Sequence, residues 1–137
     1  MAIYFILATI WFYLVLKWDV NSDFKKWKQN KPIKHTKEGI IRALLLLPSV
    51  VLLTLPDFTI WKLLAAAFLE ASLWWEFFDG LYNKKRGFKW RFNGSQEPDD
   101  SRLDKFLHHL SDAKETLLKW GLIIISLCGY LLSVFVF

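Results

Sequence analysis

The stretch AIYFILATIWFYLVL, residues 2–16, contains no charged side chain, and three further apolar blocks follow it in a chain of 137 residues. Residues 43–55, ALLLLPSVVLLTL, extend to about 17 residues with Gly39 to Arg42 included, the lower bound for a helix that crosses a bilayer. Residues 58–80 are long enough and enclose carboxylates. Residues 116–137 are long enough and carry Lys119 near their start. Hydrophobic residues make up 54% of the chain, against about 45–50% in a soluble domain; their gathering into blocks matters more than the excess. Four such blocks leave too little polar sequence to cover them in water. The expected fold is therefore all-α: an integral membrane four-helix bundle with short amphipathic cytoplasmic helices. Residues 1–137 form one membrane domain, with helices at about 2–17, 39–55, 58–81 and 114–136 and cytoplasmic loops at 18–38 and 82–113.

The first block is not expected to be a cleaved signal peptide. No Lys or Arg precedes Lys17, and the KWDVNSD that follows offers no small-residue cleavage site.

The basic residues set the expected orientation. Lys17, Lys25, Lys26, Lys28, Lys31, Lys34, Lys37 and Arg42 fall between blocks one and two. Lys84, Lys85, Arg86, Lys89, Arg91, Arg102, Lys105, Lys114 and Lys119 fall between blocks three and four. That is seventeen of the 18 Lys and Arg; only Lys62 lies elsewhere, and it is expected to reach outward from the other end. Basic loops stay on the cytoplasmic side, so both termini are expected on the non-cytoplasmic face of a bacterial inner membrane. Losing any one helix from the count would put a basic loop on the wrong side.

The connectors carry their own patterns. In DVNSDFKKWKQNK, Val20, Phe24 and Trp27 stand at i, i+4, i+7 among lysines, the pattern of a short helix lying in the headgroup layer. Asp57 is the expected N-cap of the third helix. Ser101 and Asp104 resemble a capping box, and Leu103, Phe106, Leu107 and Leu110 make the apolar face of a second amphipathic helix. Asp112 and Glu115 are expected to cap the last helix. Cys128, the single cysteine, sits in an apolar run as a small hydrophobe.

Residues 74–95, WWEFFDGLYNKKRGFKWRFNGS, join aromatics and two carboxylates to a basic run. Tyr and Trp belong at a membrane interface and Lys and Arg on its cytoplasmic flank. Anionic lipid headgroups, or a phosphate, are the expected ligands of Lys84, Lys85, Arg86, Lys89, Arg91 and Arg42. Nucleic acid is not an expected partner.

Ser72, Glu76, Asp79 and Asn83 stand at i, i+4, i+7, i+11, one polar stripe on a helix, with Glu70 deeper and on another face. A carboxylate at membrane depth is costly and takes a partner; Arg42 is the expected one for Glu76 or Asp79. The stripe reads first as a clamp between helices and second as a working site whose candidate catalytic residues are Glu70, Glu76 and Asp79. Asp104 and His108, at i, i+4, are the candidate metal ligands. No internal repeat, CxxC pair, P-loop, GxSxG or HExxH occurs.

His109-Leu110-Ser111, then Ala113-Lys114 and an apolar helix, with Glu70, Glu76 and Asp79 upstream, resembles the small bacterial diacylglycerol and undecaprenol kinases. That resemblance implies membrane-interface carboxylates holding magnesium-ATP; the second-motif asparagine of that family is missing here, and an extra first helix is present. Residues 75–107 are more similar to a string in small uncharacterised polytopic membrane proteins of bacteria and their phages, a resemblance that implies no activity. The expected function is thus non-enzymatic: anchoring, assembly or service as an accessory subunit through basic cytoplasmic loops, without a cofactor, as a homo-oligomer or within a membrane complex. The alternatives are a kinase-like lipid-headgroup enzyme using Glu76, Asp79 and Mg, and a holin-like pore former.

Overall fold

The computed structural model describes residues 2–31, 35–55, 57–90 and 112–136. These form four helices and no strand: α1 (Ala2–Lys28), α2 (His35–Thr54), α3 (Ile60–Lys85) and α4 (Asp112–Val136). The capping box at Ser101, the amphipathic helix expected over 103–110, and Arg91, Asp104 and His108 lie outside the described residues.

Helix α1 corrects the first boundary. It runs unbroken through residue 28, so residues 18–28 are its last three turns and not a separate interfacial helix. No Gly or Pro interrupts the run, and Lys25, Lys26 and Lys28 in the last turn suit the helix dipole. Asn30, at φ 50°, then ends it. Lys31 N–H donates to Lys26 O and Asn30 N–H to Trp27 O, both at 3.0 Å, a Schellman closure that Asn tolerates. Helix α3 ends the same way on Gly87, at φ 84°: Phe88 N–H donates to Asn83 O at 2.9 Å and Gly87 N–H to Lys84 O at 3.1 Å. It therefore runs a turn past the expected residue 81. Its N-cap is Thr59, whose hydroxyl accepts from Lys62 N–H at 3.2 Å, and not Asp57.

Successive helices run antiparallel. Trp11 meets Leu45 while Asp23 meets Arg42, and Ser49 meets Glu70 while Arg42 meets Trp74 and Phe78. Helix α3 touches all three others. Helix α4 leans on α3, and its Tyr130 hydroxyl donates to Leu53 O of α2 at 2.8 Å. Within α2, Pro48 removes one backbone donor, and the Trp11 indole N–H donates to Leu45 O at 2.7 Å in the turn before it.

The interior has two zones. Toward the α3 C terminus, Leu16, Val20 and Phe78 are buried together, with Phe12, Trp74, Leu81 and Tyr82 around them. Val20 is thus core, where the i, i+4, i+7 pattern predicted a lipid-facing position. Toward the 55–59 hairpin the buried residues are mostly small: Ala8, Ser49, Thr54, Ala66 and Ser133. Lys62 is buried too, which corrects the outward reach expected of it; it shares a helix face with Ala66 and Leu69. An apolar cleft of about 430 Å³ opens at this end between Phe5, Leu52 and Val134.

Helices α1 and α4 are long and apolar enough to cross a membrane. The core helix of a soluble protein is mostly covered; here 28% and 22% of the apolar windows are buried. Leu117, Ile125, Leu132 and Phe135 of α4 are each more than 60% exposed.

Gly80 shows how tightly the segment after α3 folds back. A Cβ there would fall 1.9 to 2.4 Å from three Trp90 ring atoms. Gly80→Ala should therefore expel the indole. In fluorotryptophan-labelled protein, ¹⁹F NMR should show the resonance that Trp90→Phe removes shifted in Gly80→Ala, with the other tryptophan signals in place. An unmoved signal would mean that the indole does not rest on Gly80.

Candidate functional site

The charged side chains converge at the end of the molecule formed by the α1 and α3 C termini and the α2 and α4 N termini. Arg42, expected beside Glu76 or Asp79, pairs instead with α1. Its Nε lies 2.7 Å from Asp19 Oδ2, a contact without hydrogen-bond alignment, and its Nη2 donates to Asp23 Oδ2. Glu38, one turn back on α2, is 3.6 Å from the same Nη2. Lys26 donates to Glu38 at 2.6 Å and to Asp23 at 3.1 Å. The guanidinium also lies over Trp74 and Phe78 of α3, at 5.0 and 4.8 Å from the ring centroids. Asp19 and Asp23 are at most 5% exposed and Arg42 12%. Burial this deep is tolerable for charge only when it is paired.

Burial acts to raise the Glu38 carboxyl, but the hydrogen bond and charge of Lys26, with Arg42 behind them, bring it below the usual range.

The polar stripe on α3 exists, but its members face different partners. Glu76 is buried and accepts the Trp90 indole N–H at 3.2 Å. Asn83 donates to Trp90 O at 3.2 Å, and Phe77 meets the same indole edge-on. Asp79 accepts from Lys119 of α4, which also pairs with Glu115 at 2.7 Å and lies over Trp75. Glu115 thus serves Lys119. Glu70 faces α2, where Ser49 Oγ is 2.7 Å from its Oε2.

The residues expected to bind phosphate divide. Arg42 is enclosed. Arg86 lies among Trp27, Tyr82 and Phe88, 5.0 to 5.3 Å from each ring. Lys84, Lys85 and Lys89 are exposed, as are Lys17, Lys25 and Lys28 of α1. Lys85 donates to Asn21, and Lys28 and Lys85 both lie over Phe24. Phe24 and Trp27, predicted to dip into a headgroup layer, stack on each other and serve these cations. Among the described residues no group of three His, Cys, Asp or Glu is placed to hold a metal ion.

Asp19, Asp23, Glu38 and Ser49 do not stand out among the sequence candidates. Their signal is the i, i+4 spacing of Asp19 with Asp23 and of Glu38 with Arg42, which puts each pair on one helix face. The lysines between them disguise it as a basic loop. No protein-family model, curated protein or solved structure matches the chain.

Arg42→Ala leaves three carboxylates around one lysine. The loss of one partner of a buried pair costs about 3–5 kcal/mol, so thermal unfolding in mild detergent should drop accordingly. Arg42→Lys should recover only part, since an ammonium lacks the planar fork and stacks poorly. Full recovery by Lys would show that charge alone matters. Glu38 supplies stability that is complete above its unfolded range near about pH 4.3 and is lost as pH falls through its lower folded value. Glu38→Gln should reduce the loss of stability on acidification between about pH 5 and pH 3; an unaltered pH profile would remove Glu38 from the network.

Proposed function

We propose that the chain is a polytopic inner-membrane protein: a four-helix bundle with both termini on the non-cytoplasmic side. It anchors or assembles a partner through the basic rim of its cytoplasmic end. Anionic lipid headgroups are the first ligand of that rim, and a homo-oligomer or membrane complex is its setting. One observation carries this reading. Among the described residues, the acids Asp19, Asp23, Glu38, Asp79 and Glu115 at the charged end are paired internally, while Lys17, Lys25, Lys28, Lys84, Lys85 and Lys89 are exposed at the same end. A juxtamembrane lysine near an anionic surface contributes about 1 kcal/mol, and a rim of them is additive in sign if not in size.

The membrane setting draws on the open apolar faces of α1 and α4 and on the small buried residues toward the hairpin. In lipid, helices associate by close backbone approach over Ala and Ser. The kinase-like alternative needs Glu76 and Asp79 to face a magnesium-bound phosphate. Glu76 instead receives the Trp90 indole of the segment after α3, and Asp79 receives Lys119 of α4, which favours a structural role for the pair, with Asp79 as the clamp between helices.

Two measurements test the proposal. In a Cys128→Ala background, Lys25→Cys should resist an impermeant thiol reagent in intact cells and Asp57→Cys should react; the reverse pattern overturns the orientation. Native mass spectrometry of protein purified from mixed lipid should show phosphatidylglycerol retained over phosphatidylcholine. Replacing Lys84, Lys85 and Lys89 together by Gln should cut that preference severalfold. Equal retention of both lipids by the native chain would remove headgroup binding from the proposal.

A further inference from the structure

Glu70 stands apart: Glu76, the other buried carboxyl described above without a cation, accepts the Trp90 indole N–H, whereas Glu70 meets a hydroxyl. It lies ten residues into α3, about 15 Å along the helix, and is 4% exposed. Asp19, Asp23, Glu38, Asp79 and Glu115 each touch a cation. Among the described residues none lies within ion-pair distance of Glu70, whose partner is the hydroxyl of Ser49.

The geometry at Ser49 counts protons. This side chain is fully buried, and its Oγ is 2.7 Å from Leu46 O and 2.7 Å from Glu70 Oε2. A serine hydroxyl has one proton to donate. The Leu46 carbonyl can only accept. If Ser49 donates to Glu70, its oxygen faces the Leu46 carbonyl with no proton between them. If it donates to Leu46, the contact to Glu70 is a hydrogen bond only when Glu70 is the donor. The second arrangement alone satisfies both contacts, in a place where an unmet polar contact is costly.

We propose that Glu70 is a proton-binding site, whose carboxyl proton is donated to Ser49 and joins α3 to α2. The ligand is the proton itself. The charged groups on the helices around it do not replace that proton. On α2, Arg42 is taken by Asp19 and Asp23 of α1 and by Glu38. On α4, Lys119 is taken by Asp79 and Glu115, and Tyr130 donates to Leu53 O. On α3 itself, Lys62 is eight residues back, about 12 Å along the axis, and Glu76 faces Trp90. Release of the proton would leave one hydroxyl proton for two acceptors, the Leu46 carbonyl and the Glu70 carboxylate, so one of the two contacts would go unmet. Proton occupancy and the α2–α3 contact are therefore one equilibrium. This site is independent of the basic rim and of any lipid bound there.

Infrared difference spectroscopy of the full chain in nanodiscs at neutral pH tests it. A carboxylic acid has a carbonyl stretching band that a carboxylate lacks, and the band moves on exchange into D₂O. The native protein should show such a band. Glu70→Gln should lose it, while Glu76→Gln should keep it. Ser49→Ala retains the carboxyl but removes its acceptor, so the band should persist and move to higher frequency. This variant decides the matter if Glu70→Gln does not fold. Absence of an acid band from the native protein, or a band indifferent to both the Glu70 and Ser49 substitutions, would overturn the proposal.

Discussion

One guanidinium fixes the arrangement at the charged end. Arg42 faces Asp19 and Asp23 on α1, has Glu38 beside it on α2, and lies over Trp74 and Phe78 on α3. Each of those pairs is spaced i, i+4, so three helices present one face each to a single group. Sliding α1 by one residue against α2 would turn Asp19 and Asp23 away and bury them unpaired. Register and rotation of three helices are thereby set together, by a cost several times larger than any one apolar contact there. Leu16 and Val20, also i, i+4, then meet Phe78 on the same terms.

Polarity changes in kind along the molecule. The charged end uses ion pairs and aromatic rings. The other end uses hydroxyls that satisfy themselves within their own helix: Thr54 donates to Val51 O, Ser126 to Ile123 O and Ser133 to Tyr130 O. Such groups need no partner helix, so they permit close packing without dictating it. Ser49 and Tyr130 are the exceptions: the serine oxygen touches Glu70 of α3, and the Tyr130 hydroxyl donates to Leu53 O of α2. The contact at Glu70 is thus the deepest interhelical side-chain bond on α3, and it lies where small residues otherwise dominate.

The helices themselves were largely legible, because apolar blocks and turn residues are local signals. Gly87 and Asn30 end their helices through their own backbone preference. The stripe of Ser72, Glu76, Asp79 and Asn83 was legible for the same reason, as a face of one helix. Its partners were not, since they depend on how neighbouring helices rotate. Asp79 and Glu76 are three residues apart yet address α4 and the segment after α3. Residues 18–28 misled for a different reason. Their lysines dominate the composition, while the two aspartates that decide the packing count only once Arg42 is placed opposite. Trp90 over Gly80 left no periodic trace at all, since one glycine in a helix is compatible with many reasons.

The choice between the two basic residue types follows the same division. Both arginines whose side chains are described lie among aromatic rings: Arg42 between Trp74 and Phe78, Arg86 among Trp27, Tyr82 and Phe88. The planar guanidinium is weakly hydrated, stacks on rings and donates in a fixed fork, so it suits enclosure. The exposed positions at that end, Lys17, Lys25, Lys28, Lys84, Lys85 and Lys89, are ammonium groups on flexible stems. An ammonium holds its water, moves freely and recognises charge more than shape. A rim built to read one ligand of defined geometry would place its arginines outside. The two described arginines are spent on packing, and the described lysines that face outward suit a diffuse field of negative charge. Among the described carboxylates, Asp19, Asp23, Glu38, Asp79 and Glu115 are spent on Arg42, Lys26 and Lys119.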